Sequence, residues 1–332
     1  MSSAFAQGVT TDPVGYVTFD VNPSADTKVG APMTQSAVFT GLTDSVSVGA
    51  ITVVGAIPDV TSDLHFVWVT DGALEGQWFA VTSGTATTVT VAEDLAAAGL
   101  VSSDPFRVLP FWTLDTLLPL GGGIPTSSSP SSVQGSIFLN NLSASGINLA
   151  PSNEYVYFDD GAGGVPNGWY DINNPGAGVL GDTPITPASY FTIRNNTGSL
   201  FTVTFTGSVP FAAISNEIVS LASQRQDNQV PNLFPTGMTL GLAGFIDSNA
   251  IRSTSNPSDV NKDSLFVYDV APTSQNPAPA IEFVHIDDGE GGVPNGWYNI
   301  NNPGAGIQDS YVINPGAALV IRRGADSDAV YT

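Results

Sequence analysis

The residues of this chain best suited to chemistry are paired carboxylates followed by glycines, and they occur twice. Asp159-Asp160-Gly161-Ala162-Gly163-Gly164-Val165-Pro166-Asn167-Gly168-Trp169-Tyr170 returns as Asp287-Asp288-Gly289-Glu290-Gly291-Gly292-Val293-Pro294-Asn295-Gly296-Trp297-Tyr298, a constant offset of 128 residues. Between 156–178 and 284–306, 19 of 23 positions are identical. Adjacent Asp side chains, with glycines that expose backbone carbonyls, offer the hard oxygen donors that calcium takes. Asp159, Asp160, Asp287, Asp288 and Glu290 are therefore candidate Ca2+ ligands. The spacing matches neither the EF-hand loop nor the Gly-Gly-x-Gly-x-Asp nonapeptide. Asp-Gly is also ordinary turn chemistry. A looser third copy, Thr70-Asp71-Gly72 followed by Gln77-Trp78-Phe79, keeps Asp-Gly and Trp but has Thr at the first Asp position, which favours the turn.

The aromatic pairs that end each repeat suggest a second chemistry. Trp169 with Tyr170, and Trp297 with Tyr298, are candidate glycan-binding platforms, because a sugar's C–H face packs on an aromatic ring. Trp78, Trp169 and Trp297 also hold equivalent strand positions, as cross-strand packing residues do. The two histidines, His65 and His285, each stand among apolar strand residues, where a histidine is more often structural than catalytic. With no cysteine in the chain, thiol catalysis, disulfides and thiolate metal sites are excluded. No P-loop, Gly-x-Ser-x-Gly or His-Glu-x-x-His motif is present. The expectation is a protein that is not an enzyme and requires no cofactor.

Charge narrows the partners. Acids outnumber bases 30 to 8, for a formal net charge of −22, and only 11% of residues are charged. Phosphate contacts need Lys and Arg, so this balance argues against nucleic acid and against docking on anionic membranes. No apolar run approaches the roughly 20 residues of a membrane-spanning helix. Hydrophobic content of 42%, with 17 Phe, argues against disorder. Ala4-Phe5-Ala6 before Gln7 reads as the end of a signal peptide, in keeping with a Lys-poor, Thr- and Gly-rich exported protein.

These residues must be positioned by strands. The 35 Gly and 24 Pro fit short strands joined by tight turns. Period-two alternation marks a strand over 12–21. Further strands are expected at 46–54, 64–69, 77–82, 87–91 and 106–112; at 136–139, 155–158, 168–172, 190–194 and 201–206; and at 264–270, 281–286, 296–300 and 317–322. Short helical turns are expected at 93–100 and 114–118, and either a short helix or an irregular edge at 214–223. The predicted fold class is all-β, with two or three related antiparallel β-sandwich or barrel-like modules. A polar lead or signal-peptide remnant over 1–11 precedes modules at 12–120, 133–225 and 226–332. Residues 121–132, rich in Gly, Ser and Pro, read as a linker or a long ordered loop.

Thr11-Asp12-Pro13-Val14-Gly15-Tyr16-Val17, Gly72-Ala73-Leu74-Glu75-Gly76, Pro110-Phe111-Trp112-Thr113-Leu114, Tyr190-Phe191-Thr192-Ile193-Arg194-Asn195-Asn196 and Gln226-Asp227-Asn228 together resemble a family of uncharacterised exported proteins of Verrucomicrobia-type bacteria. The resemblance implies a secreted protein of about this length and carries over no functional residues. The sequence thus leads to the expectation of a secreted, cell-surface structural protein that forms a homo-oligomer or polymer. Strand exchange through the segment Thr10 to Val21 would join its subunits. The alternative is a secreted module or adhesin that binds polysaccharide. Asn195-Asn196-Thr197 is, in addition, a glycosylation acceptor sequence.

Overall fold

The computed structural model describes residues 12–58, 60, 64–129, 131–161, 163–289 and 292–331. Two strands open the chain, β1 (Val14–Val21) and β2 (Asp26–Val29). Seven follow: β3 (Phe39–Leu42), β4 (Ser45–Ser47), β5 (Ala50–Thr52), β6 (His65–Val69), β7 (Trp78–Gly84), β8 (Thr88–Val91) and β9 (Pro105–Pro110), with helix α1 (Leu95–Ala98) before the last. Next come β10 (Trp112–Thr113), helix α2 (Leu114–Leu117), β11 (Gly135–Asn140), β12 (Pro151–Phe158), β13 (Gly168–Asp171), β14 (Pro184–Ile185), β15 (Phe191–Asn195) and β16 (Phe201–Ser208). The chain then runs through β17 (Ile218–Ser220), β18 (Gln226–Pro231), β19 (Met238–Thr239), β20 (Ser264–Val267), β21 (Ile281–Ile286), β22 (Gly296–Asn299), β23 (Val312–Ile313), β24 (Ala318–Arg323) and β25 (Ala329–Tyr331). The fold is largely antiparallel β, in several sheets with short helical turns.

Duplication extends well beyond the repeated hairpin. One five-stranded sheet has the order β13-β12-β11-β15-β2, and another, read from its far edge, β22-β21-β20-β24-β18. The two-stranded ribbons β1–β16 and β17–β25 match, as do the small pairs β10–β14 and β19–β23. The offset that begins at Asp159 and Asp287 still holds at Pro184/Val312 and at Phe201/Ala329, where sequence identity has faded. In each copy the ribbon covers one face of the sheet. Phe19, Val21, Val203 and Phe205 meet Ile137, Trp169, Phe191 and Ile193 in the first core; Ile218 meets Leu265, Phe283, Trp297 and Ile321 in the second. Alternation along each strand sends every second side chain inward.

The first copy is interrupted. Only a short connection separates β18 from β19, whereas the equivalent strands β2 and β10 flank the whole run β3–β9, which forms its own seven-stranded sheet, β3-β9-β6-β7-β8-β5-β4. Strand pairing crosses from the expected module 12–120 into 133–225: β1 and β2 pair with β16 and β15, and β10 with β14; residues 1–11 lie outside the described residues. The described residues of 121–132, read as a linker or long loop, pack against the first copy. Ile124 and Ser127 are buried, the Ser127 N–H donates to the Tyr157 carbonyl at 2.9 Å, and the Asp159 N–H donates to the Ser127 carbonyl at 3.2 Å. Helices α1 and α2 fall where turns were expected. Residues 214–223, read as either a short helix or an irregular edge, contain the three-residue strand β17 of the two-stranded sheet β17–β25, with Ile218 packed under the second sheet.

The two copies hold each other reciprocally. Asp26 forms a two-pronged bond to Arg194, with both N···O distances 2.7 Å, and Asp227 does the same to Arg322 at 2.6 and 2.7 Å. Each guanidinium lies over an equivalent phenyl ring, Phe138 at 4.5 Å or Phe266 at 4.8 Å. Each carboxylate is then capped by the other copy. The Asn276 N–H donates to Asp26 at 2.8 Å, and the Asn148 N–H donates to Asp227 at 2.6 Å. Asn148 and Asn276 are 128 residues apart and both have positive φ, 56° and 48°, a region that Asn tolerates better than most residues. The arrangement is that of an isologous dimer interface within one chain. Lys28 sits at the same junction, its ammonium 5.5 Å from the ring centre of Tyr190 and 4.9 Å from that of Tyr268. Burial pushes its pKa below the ordinary lysine value, with Asp26 opposing.

Candidate functional site

Both Asp-Asp-Gly loops are closed by their own carboxylates. Asp159 accepts the Gly161 N–H at 3.0 Å and Asp160 the Gly163 N–H at 3.0 Å. In the second copy Asp287 accepts the Gly289 N–H at 3.1 Å and Asp288 the Val293 N–H at 2.8 Å. Gly161 and Gly289 share φ of 64°, left-handed backbone for which glycine is the default. Among the described residues no three His, Cys, Asp or Glu side chains gather as metal ligands would; Glu290 lies outside those residues. The loop bonds explain Asp at these positions as turn closure. Asp159→Asn, which keeps the acceptor, is therefore expected to change stability by no more than about 0.5 kcal/mol in urea unfolding, and Asp159→Ala by about 1 kcal/mol. A several-fold larger loss for Asp159→Asn, seen only with calcium present, would assign the carboxylate to a cation instead.

The aromatic pairs named as candidate glycan platforms are buried and packed. Trp169 is fully buried and meets Tyr157 edge to face at 5.5 Å. Trp297 is 3% exposed, between Phe245 and His285. The Tyr170 and Tyr298 hydroxyls donate to the Pro166 and Pro294 carbonyls at 2.7 and 2.8 Å, bracing each loop over buried rings. Strand alternation turns each Trp toward one core cluster and each Tyr toward another. Trp78 differs: it is half-buried, on the inserted sheet.

His285 lies on β21 with its Nδ1 2.8 Å from the Ser253 hydroxyl. Burial holds its pKa below the ordinary imidazole value, partly offset by Asp309 and Asp287. A neutral imidazole offers one donor nitrogen and one acceptor nitrogen together. A hydroxyl beside a neutral imidazole is the beginning of a nucleophile–base pair, yet neither cleft described in the protein reaches it. His65 stands at the start of β6, in register with Pro110. Asn195, the acceptor of the glycosylation sequence, is fully buried and donates to the Val21 and Ser199 carbonyls, so its amide is occupied.

The feature that sequence reasoning missed is a cleft of about 500 Å3 where the inserted sheet meets both copies. One wall is β7, with Trp78 and Ala80; another is the loop after β11, which includes Asn141 and Ser143; the floor is β18. Glu93 and Glu217 also line it, and both are exposed. None of the eight Lys and Arg residues does. The floor is rigid: Gln226 accepts the Gly146 N–H at 2.7 Å, and Asn228 both donates to and accepts from the backbone of Val219. These parts come from three distant regions of the chain, and no local motif announces their meeting. A scan against family models, curated proteins and solved structures returned no match.

Proposed function

We propose that the chain is an exported structural subunit that assembles with copies of itself at or outside the cell surface, joined through the ribbon β1–β16. The observation that carries this reading is the ribbon's undefended state. Its strands pair over eight matched positions with no break in register and form a sheet of two, with one bridge from Ser208 to Thr34 at its end. Natural edges are normally blunted by Lys, Pro, bulges or short length. This one has none of these, and Asp20 is its single charge. Its outer face shows Val14 and Tyr16, 71% and 76% exposed, beside a row of threonines that includes the Thr18–Thr204 hydroxyl pair at 3.0 Å. Such edges serve as templates for strand addition. β1 belongs to the segment expected to exchange between subunits; Thr10 and Thr11 of that segment lie outside the described residues. The resemblance read from the sequence and the scarcity of lysine support export.

Thr202→Lys with Thr206→Lys tests the reading without dismantling the ribbon, since position 202 faces Asp20. Purified protein is expected to form ordered polymers in electron micrographs, and the double variant to remain monomeric with an unchanged melting temperature. Monomers alone from the unsubstituted protein, with and without calcium, would sink the proposal.

A further inference from the structure

We propose that the cleft between β7, the loop after β11 and β18 binds a neutral oligosaccharide chain. Its volume of about 500 Å3 falls in the range of roughly 300–1,000 Å3 typical of ligand sites. Its chemistry is that of a polyol site. Trp78 is held edge to face against Phe66 at 6.0 Å and Phe111 at 5.8 Å, which fixes the indole while leaving part of it to the cleft. A fixed, partly wetted indole suits the C–H face of a pyranose. Around it, the carboxylates of Glu93 and Glu217 and the amide of Asn141 supply acceptors and donors for ring hydroxyls.

Charge selects the sugar. With no Lys or Arg on its walls, the cleft offers nothing to a sulfate, phosphate or uronate, and the chain's net charge of −22 repels all three. A polycation is also poorly served. Asp227, the acid of the floor, is already neutralised by Arg322, which leaves two separate rim carboxylates. A neutral chain of hydroxyls satisfies these groups without opposing charge. The bonds that hold Gln226 and Asn228 in place mean that the floor needs little reorganisation to receive it.

Because three parts of the chain form the walls, a bound sugar must stabilise their junction. The test is calorimetry of the monomeric Thr202→Lys, Thr206→Lys protein, which separates this inference from the assembly proposal. The probes are neutral hexasaccharides of glucose, N-acetylglucosamine, mannose and xylose, with a heparin hexasaccharide and oligolysine as controls. At least one neutral probe is expected to bind and raise the melting temperature. Trp78→Ala should weaken it by about tenfold or more, a loss of roughly 1.4 kcal/mol. Glu217→Gln, at an exposed position where folding is not at stake, should weaken it several-fold. Three results would overturn the inference: no neutral probe binding at millimolar concentration, equal binding by the parent and Glu217→Gln, or binding of oligolysine or heparin in place of neutral sugars.

Discussion

Asp263→Ala is expected to lower the unfolding free energy by about 3–5 kcal/mol, the cost of leaving a buried charge without its partner. Asp263 is fully buried and gathers five donors. Arg252 donates from its backbone N–H at 2.8 Å and from its guanidinium at 3.1 and 2.8 Å, the Gly324 N–H donates at 2.7 Å, and Arg323 closes an ion pair at 2.9 Å. Arg323 is itself fully buried, donates to the Asn249 and Ala250 carbonyls, and lies 4.6 Å from the Tyr331 ring centre. Without the carboxylate, its guanidinium would remain charged beneath β24. Chemical unfolding followed by circular dichroism reads the loss. Asp263→Asn should recover only part of it, because the amide restores shape without charge. A loss below 1 kcal/mol for Asp263→Ala would mean that water enters and replaces the acid.

Asp227→Ala is expected to cost about 3 kcal/mol and to free a loop in the other copy. Two effects combine: Arg322 loses a two-pronged partner, and the Asn148 N–H loses its acceptor. Hydrogen bonds to charged groups contribute a net of about 1.5–3 kcal/mol each, after the exchange with water is counted. Hydrogen exchange gives the sharper readout. Asp227→Ala should speed exchange across 141–149, whereas Asp26→Ala should speed it across 269–277, the loop that carries Asn276. The crossed pattern is the point. If each substitution loosened only its own sheet, the reciprocal grip between copies would not be the contact that joins them.

Much of this architecture can be read from residues, though unevenly. Strands whose side chains alternate between core and solvent, such as β1 and β16, are plain in the sequence. So are the hairpin loops, where Gly and Asp leave few backbone choices. β2 and β18 are not. Asp-Thr-Lys-Val and Gln-Asp-Asn-Gln-Val-Pro look like loops because their polar side chains are satisfied by the protein itself: Asp26 by Arg194, Asn228 by the Val219 backbone. The insertion escapes notice for a different reason. β1 and β2 find their partners, β16 and β15, more than 160 residues later, and alternation carries no information about which distant strand is the neighbour. Trp169 and Trp297 were legible as aromatic strand positions, but whether a face was wet depended on ribbons contributed by other parts of the chain. The cleft depends on the same long-range closure.

A body made of two equal halves gripping each other about a two-fold looks the same from either end, and a stack of such bodies has no direction. Here the β3–β9 sheet is attached to one half only. It gives the chain a front and a back, so that head-to-tail joins through a single ribbon would each repeat the same orientation. A polymer built this way would be polar, with its two tips chemically unlike: one ending in the exposed β1–β16 ribbon, the other in the surface that ribbon would otherwise have covered.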